Sequence, residues 1–508
     1  MKPNTKSFFI LQLLVLGALL LLTLLALEPQ VLVAMLTAGL ILLWLAGAVV
    51  EPFSLLLSAL ALSATTSTLS HLNIDGVPFS VNGLLTAGLG AACGLAIVIH
   101  FRQQFRTAPQ LRRWLIESAP LSLLLAWALV RIPSAPVLSD AISDVLIWSA
   151  VLALYVLARA YWIANPQALT AGEKALFYVA FLTLAAIVVD ALLGNVFFNT
   201  TDTNISFGIH TTAGSRTIPA FFGLALVPLL ARLRFGTNPR EQNRWLLMAL
   251  IATLSLYVYF SLARTALLGT AGIVFPLMLL APRSIWKAAI IVVAGLLVTA
   301  AVIQSPLYPR PSVVDVGSLV TVEERGADNE SEGGSQAAIP RIRLDSAVLR
   351  GVTFGRSHAW QYLLDTAVSN NPVVGLGTGA SRSYVTNIIA NWDNPHSDYV
   401  RVFFDLGAIG LLIFVLSWAV KALTLWQRWM RSRPNTALAL RSFAALTATG
   451  YVLLNAATDN TIVYFFLMGP LSLMLAMADA TTVHAEARLE PELAQPVDLF
   501  SVAERLDQ

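Results

Sequence analysis

Runs of about twenty apolar residues recur along this chain, from FFILQLLVLGALLLLTLLAL starting at Phe8 to IVYFFLMGPLSLMLAMA starting at Ile462. Each can cross roughly 30 Å of hydrocarbon as a helix, the one open-ended structure that pairs all its own backbone N–H and C=O groups within a single segment. This pattern predicts an all-α integral membrane protein. Composition agrees: 57% of the 508 residues are hydrophobic and 12% charged, against about a quarter charged in soluble domains. The first run is too long for a signal-peptide core and has no small-residue cleavage site, so it is expected to stay as the first helix. The net charge of +3 is small and spread over loops, which gives nucleic-acid binding no support. Cys93 is the only cysteine, so neither a disulfide framework nor a thiolate metal site is expected.

Dividing the runs at Pro, Gly and charged breakers gives 12–14 transmembrane helices, the full division being 8–27, 30–50, 53–70, 81–101, 114–132, 141–163, 174–194, 218–231, 244–262, 265–280, 285–303, 399–422, 442–458 and 461–480. The organisation that follows is helices 1–11 over 1–303, a long loop over 304–398, helices 12–14 over 399–480 and a tail over 481–508. Arginines and lysines collect after helices four, eight, ten and twelve, at Arg102, Arg106, Arg112 and Arg113, then Arg232 and Arg234, Arg283 and Lys287, and Arg428 and Arg431. Short basic loops stay in the cytoplasm. All four lie an even number of helices from the N-terminus, so both termini are expected to be cytoplasmic and the 304–398 loop external.

That loop is too long for an ordinary connection. Its first half, VEERGADNESEGGSQAAIPRIRLD, is acidic and rich in Gly and Ser. Its second half contains GRSHAWQYLLDTAV, which places Trp360, Leu363, Leu364 and Ala367 on one face of an amphipathic helix. The stretch SNNPVVGLGTGAS then reads as a stop followed by a glycine-rich turn, in which Gly375 and Gly377 permit close backbone approach.

Polar residues at helix mouths are costly and point to function. Arg264, in SLARTALLG, sits at a tight external turn between two apolar runs. Arg356 opens the amphipathic helix, and Arg216 precedes the eighth apolar run. The planar guanidinium fork suits phosphate oxygens, so these three arginines are the candidate pyrophosphate contacts, against the plainer roles of interfacial or solvated charges. His396 stands at the mouth of helix twelve among Asn394, Ser397, Asp398 and Arg401. A histidine there can accept a proton near neutral pH and so activate a hydroxyl. Asp398 either orients that ring or, more in keeping with its position, caps the helix. Charges inside the spans read as few, Asp190 being one. Walker, HExxH and DxD patterns are absent from the sequence, so no cofactor and no metal-ligand set are expected.

His396, Ser397, nine residues, Gly407, two residues and Gly410 resemble the core motif of the O-antigen ligase and O-antigen polymerase superfamily of bacterial inner-membrane glycosyltransferases. SLARTALLG is similar to the family's arginine turn, and Arg356 with Trp360 and PVVGLG to its Arg-x-x-x-Trp and Pro-x-x-Gly-x-Gly segments. TDNTIVYFFLMGPL resembles its late helix pair, with Asp459 and Asn460 at an external turn. GSRTIPAFF departs from the Asn-Pro-Asn stretch many members carry, which weakens a binding role for Arg216. The resemblance implies metal-independent, inverting glycan transfer from an undecaprenyl-pyrophosphate donor on the outer face of the inner membrane. The acceptor it implies is a lipid-linked repeat unit or a lipid A core sugar, with a chain-length regulator as a further partner. Polymerase is the reading preferred here; a ligase, a protein glycosyltransferase and a lipid-linked-sugar flippase are the alternatives.

Overall fold

The computed structural model describes residues 30–69, 79–192, 217–235, 244–261, 263–305, 356–388, 394–432 and 436–494, with a few positions at 10–18 and 74–77. The helices are α1 Gln30–Val50, α2 Pro52–Leu69, α3 Val81–Ala96, α4 Ala108–Arg131, α5 Leu138–Ala164, α6 Ala168–Leu192, α7 Thr217–Phe235 and α8 Arg244–Phe260. They continue as α9 Arg264–Leu280, α10 Ile285–Gln304, α11 Arg356–Asn370, α12 Ala380–Ile388, α13 Asp398–Arg431, α14 Ala437–Ala456 and α15 Phe465–Ala494. Among the described residues nine helices are long and apolar enough to cross a membrane, and three shorter apolar ones accompany them. The chain is an all-α, multi-pass membrane protein. Each apolar segment expected from residue 30 onward coincides with a helix. The expected first helix, the acidic half of the loop and the last residues of the tail lie wholly or mostly outside the described residues.

Packing separates a central post from the periphery. In α15, 94% of the apolar window is buried, against 6% in α10, so α15 is the core and α10 faces lipid. The sequence explains this: Gly469, Ser472, Ala476 and Ala478 keep α15 narrow, and helices in a bilayer pack through such small residues. α5, α14 and α2 close around it, while α13 runs along α4 and α14. α15 continues to Ala494, into what the sequence suggested was tail.

The second half of the loop folds back on the mouth of α13. Leu363 and Ala367 of α11, Ala380 and Val385 of α12, and Phe404 of α13 form a small second core. α12 was not expected from the sequence; the glycines ahead of it read as a turn, and the helix begins directly after Gly379.

The spans hold more charge than their hydropathy suggested, because one ionisable residue barely lowers the mean of a twenty-residue apolar window. Asp144, Arg401 and Asp405 are buried near the start of α13, and Glu117, Arg159, Lys421 and Asp479 are buried towards its far end. Each group carries both signs, as desolvated charges require. The side chain of Asp190 lies outside the described residues.

Candidate active site

α13 starts where it does because Ser397, extended at φ −161° and ψ 118°, caps it by accepting from the Val400 N–H. Asp398 is therefore the first helical residue and not the cap. The preceding residue, His396, is held at φ 53° in the left-handed region, which histidine enters more readily than most side chains. Trp360 of α11 fixes this approach by donating from Nε1 to the Pro395 carbonyl at 2.6 Å. The result is a largely buried imidazole held at the helix mouth.

The opposite wall is the turn between α14 and α15. His396 Nδ1 lies 3.4 Å from Asp459 Oδ1, with the two side chains 20% and 15% exposed, so the pair is reachable from outside the bundle. The Asn460 N–H also donates to that oxygen at 2.9 Å, which steadies the carboxylate. A proton on Nδ1 facing Asp459 leaves Nε2 as the acceptor. One residue earlier, the Thr458 carbonyl accepts from Arg356 Nη1 at 2.5 Å, and the Thr458 hydroxyl meets that of Thr265 at 2.8 Å. Thr265 is the neighbour of Arg264, which opens α9. One short turn thus gathers the ends of α9, α11 and α13, and with them Arg264, Arg356 and His396. Arg216 lies outside the described residues.

The supporting residues prove to be braces. Asp398 is fully buried and accepts from the Thr461 hydroxyl at 2.6 Å and the Ile462 N–H at 3.0 Å, tying the mouth of α13 to the start of α15. Arg401 is buried, donates to Asn394 at 3.0 Å and pairs with Asp144 of α5. Asp144 also receives Arg382 of α12 at 2.6 Å, and Asp405 accepts from the Ser381 N–H at 2.6 Å. These contacts fix the loop to the membrane helices and set the floor beneath His396.

Gly375 and Gly377 belong to the same framework. α13 breaks at Gly407, where φ is 71° and ψ −171°. The backbone groups released there are taken up by the glycine-rich loop: Leu376 and Gly377 donate to the carbonyls of Phe404 and Asp405, and Ala408 and Ile409 donate to those of Pro372 and Val373. Trp127 Nε1 takes the Leu406 carbonyl at 2.9 Å. Backbone groups freed at a helix break need partners of this kind. A Cβ on Gly375 would stand 2.5 Å from the Asp405 carbonyl, so the glycines serve close approach of two backbones and not a ligand.

Asp459 is the residue whose part sequence reasoning missed. It was placed at an external turn without a role, and Asp398 was the carboxylate weighed for orienting the ring or, more in keeping with its position, capping the helix. The available signal was that the α14–α15 turn falls on the same face by helix parity. A search of curated proteins finds no match to the chain. Residues 248–415 match a family model described as O-antigen ligase, a segment that contains Arg264, Arg356 and His396 and ends before Asp459.

Proposed function

We propose, taking the chain as a member of the O-antigen ligase and polymerase superfamily, that it transfers a glycan from an undecaprenyl-pyrophosphate donor to a sugar hydroxyl on the outer face of the inner membrane. The observation that carries this reading is the Thr458–Asp459 turn, on which a proton acceptor and two arginine-bearing helix ends converge. His396 Nε2 takes the proton of the acceptor hydroxyl as its oxygen bonds to the anomeric carbon. The bond from that carbon to the pyrophosphate oxygen breaks, its electron pair leaves with the phosphate, and a single displacement inverts the centre. Arg264 and Arg356 bind the pyrophosphate and balance the charge that grows on it, a role usually worth several kcal/mol. Asp459 holds the ring and stabilises the imidazolium.

The side assignment follows from charge. Arg112, Arg113, Arg428 and Arg431 lie at the ends of α4 and α13 away from His396, and basic ends face the cytoplasm. Counting the apolar run 8–27 as the first span, both termini are assigned to the cytoplasm.

Polymerisation of lipid-linked repeat units is preferred; ligation to a lipid A core is the second reading, favoured by the description of the matched family. Purified protein given lipid-linked repeat units alone is expected to yield a ladder of longer lipid-linked glycans. Product formed only when lipid A core is added would make it a ligase, and no product with either acceptor would remove the glycan-transfer reading. Arg356→Gln is expected to lower the rate roughly a hundredfold, and Arg356→Lys to recover part of it by restoring charge without the fork. Asp459→Asn should cost roughly tenfold, less than the loss of the ring itself. An Asp459→Asn rate equal to wild type in the same assay would remove that residue's orienting role.

A further inference from the structure

We infer that the end of the bundle opposite His396 holds a binding site for the head group of an anionic phospholipid, between α4 and α13.

A half-open cavity of about 680 Å³ lies there, lined by Arg112, Arg113, Lys421, Thr424 and Arg428 together with Glu117 and Glu486. Its size falls within the range of about 300–1,000 Å³ of ordinary small-ligand sites. The inner wall is preorganised. Lys421 Nζ donates to Asp479 at 2.6 Å and to the Glu117 carbonyl at 3.0 Å, and Arg428 reaches Asp479 at 2.5 Å. Asp479 also receives the Tyr155 hydroxyl at 2.6 Å, while Arg159 pairs with Glu117.

The charges do not cancel. Among the described side chains lining the cavity, Arg112, Arg113, Lys421 and Arg428 exceed Glu117 and Glu486 by two positive charges, and behind them Arg159 and Asp479 offset each other. Arg112 is exposed at the rim. A purely structural ion network would need no surplus and no open volume in front of it.

Three features favour a lipid over a soluble anion. The rim residues Ile116 and Val420 are apolar and 57% and 54% exposed, so the cavity opens sideways onto the face that acyl chains cover. Trp286, 77% exposed, opens α10 on the same side, where Arg283 of the preceding turn donates to the Ser432 carbonyl just past α13; exposed tryptophan marks the membrane–water interface. Basic residues at that depth attract anionic head groups. The occupant that fits is a phosphodiester head group at the cations with its acyl chains over Ile116 and Val420.

The test is lipid retention by the full-length protein, measured by native mass spectrometry after equilibration in vesicles of equal phosphatidylglycerol and phosphatidylcholine. Wild type is expected to retain phosphatidylglycerol about tenfold in preference. Arg112→Gln removes a rim charge outside the buried pairs and is expected to reduce the preference about fivefold. Thr424→Trp fills the cavity and is expected to abolish retention of that lipid, while the thermal midpoint shows whether the fold survives. Equal retention of the two lipids, or a preference unchanged in both variants, would overturn the site. Displacement by millimolar inorganic phosphate would make it a soluble-phosphate site and overturn the lipid assignment.

Discussion

Replacing His396 with asparagine is expected to lower glycan transfer by about a hundred- to ten-thousandfold, the usual contribution of a positioned general base, while the protein remains folded. Asparagine is the informative substitution because residue 396 is held at φ 53°, a conformation asparagine tolerates and alanine resists. A lost rate in His396→Asn therefore reports the missing imidazole and not a disturbed helix mouth. The His396 side chain is 20% exposed with Asp459 3.4 Å from Nδ1, and asparagine keeps both the backbone conformation and a polar group towards that carboxylate. The thermal midpoint in detergent should accordingly move little. Transfer at near wild-type rate in both His396→Asn and His396→Ala, measured with lipid-linked donor and acceptor, would remove the catalytic assignment.

The sequence revealed the bundle well because bilayer spans obey one rule, a sufficient apolar length, and α13 to α15 follow it openly. The site was partly legible for a related reason. His396 belongs to a polar cluster just ahead of an apolar run and Arg356 opens an amphipathic segment, and both patterns stand out. Asp459 did not stand out, because its meeting with His396 is made by two helix ends 63 residues apart and nothing local encodes it. The buried pairs Arg401–Asp144 and Lys421–Asp479 were hidden for the same reason: their partners lie on different helices, far apart in the chain, although Arg401 itself stood out within the cluster around His396. Asp398, expected mainly as the helix cap, yields that place to Ser397 and instead ties the mouth of α13 to Thr461 and Ile462, ahead of α15.

Gly407→Val is expected to have the largest structural effect of any single change near the site. A Cβ at residue 407 would stand 2.5 Å from the Gly375 N–H and closer still to the Val373 carbonyl, both backbone and unable to swing aside. Valine, being β-branched, also resists the φ of 71° found there. The loop at 372–377 would have to lift away. The carbonyls of Phe404 and Asp405 and the N–H groups of Ala408 and Ile409 would then lose the partners they now have. Each buried backbone group left unsatisfied costs about 1–3 kcal/mol, and four together rival the whole stability of an ordinary domain, about 5–15 kcal/mol. The expected result is collapse of the yield of monodisperse protein, or rapid proteolysis within 372–388 in whatever is recovered. Gly450→Ala is the control: its Cβ would meet only Ile273, at 3.6 Å, and alanine favours a helix interior by about 1 kcal/mol. Should Gly407→Val match that control in yield and protease resistance, the break in α13 is not what holds the loop. The His396 to Gly407 spacing would then need an explanation other than the docking of PVVGLG onto a broken helix.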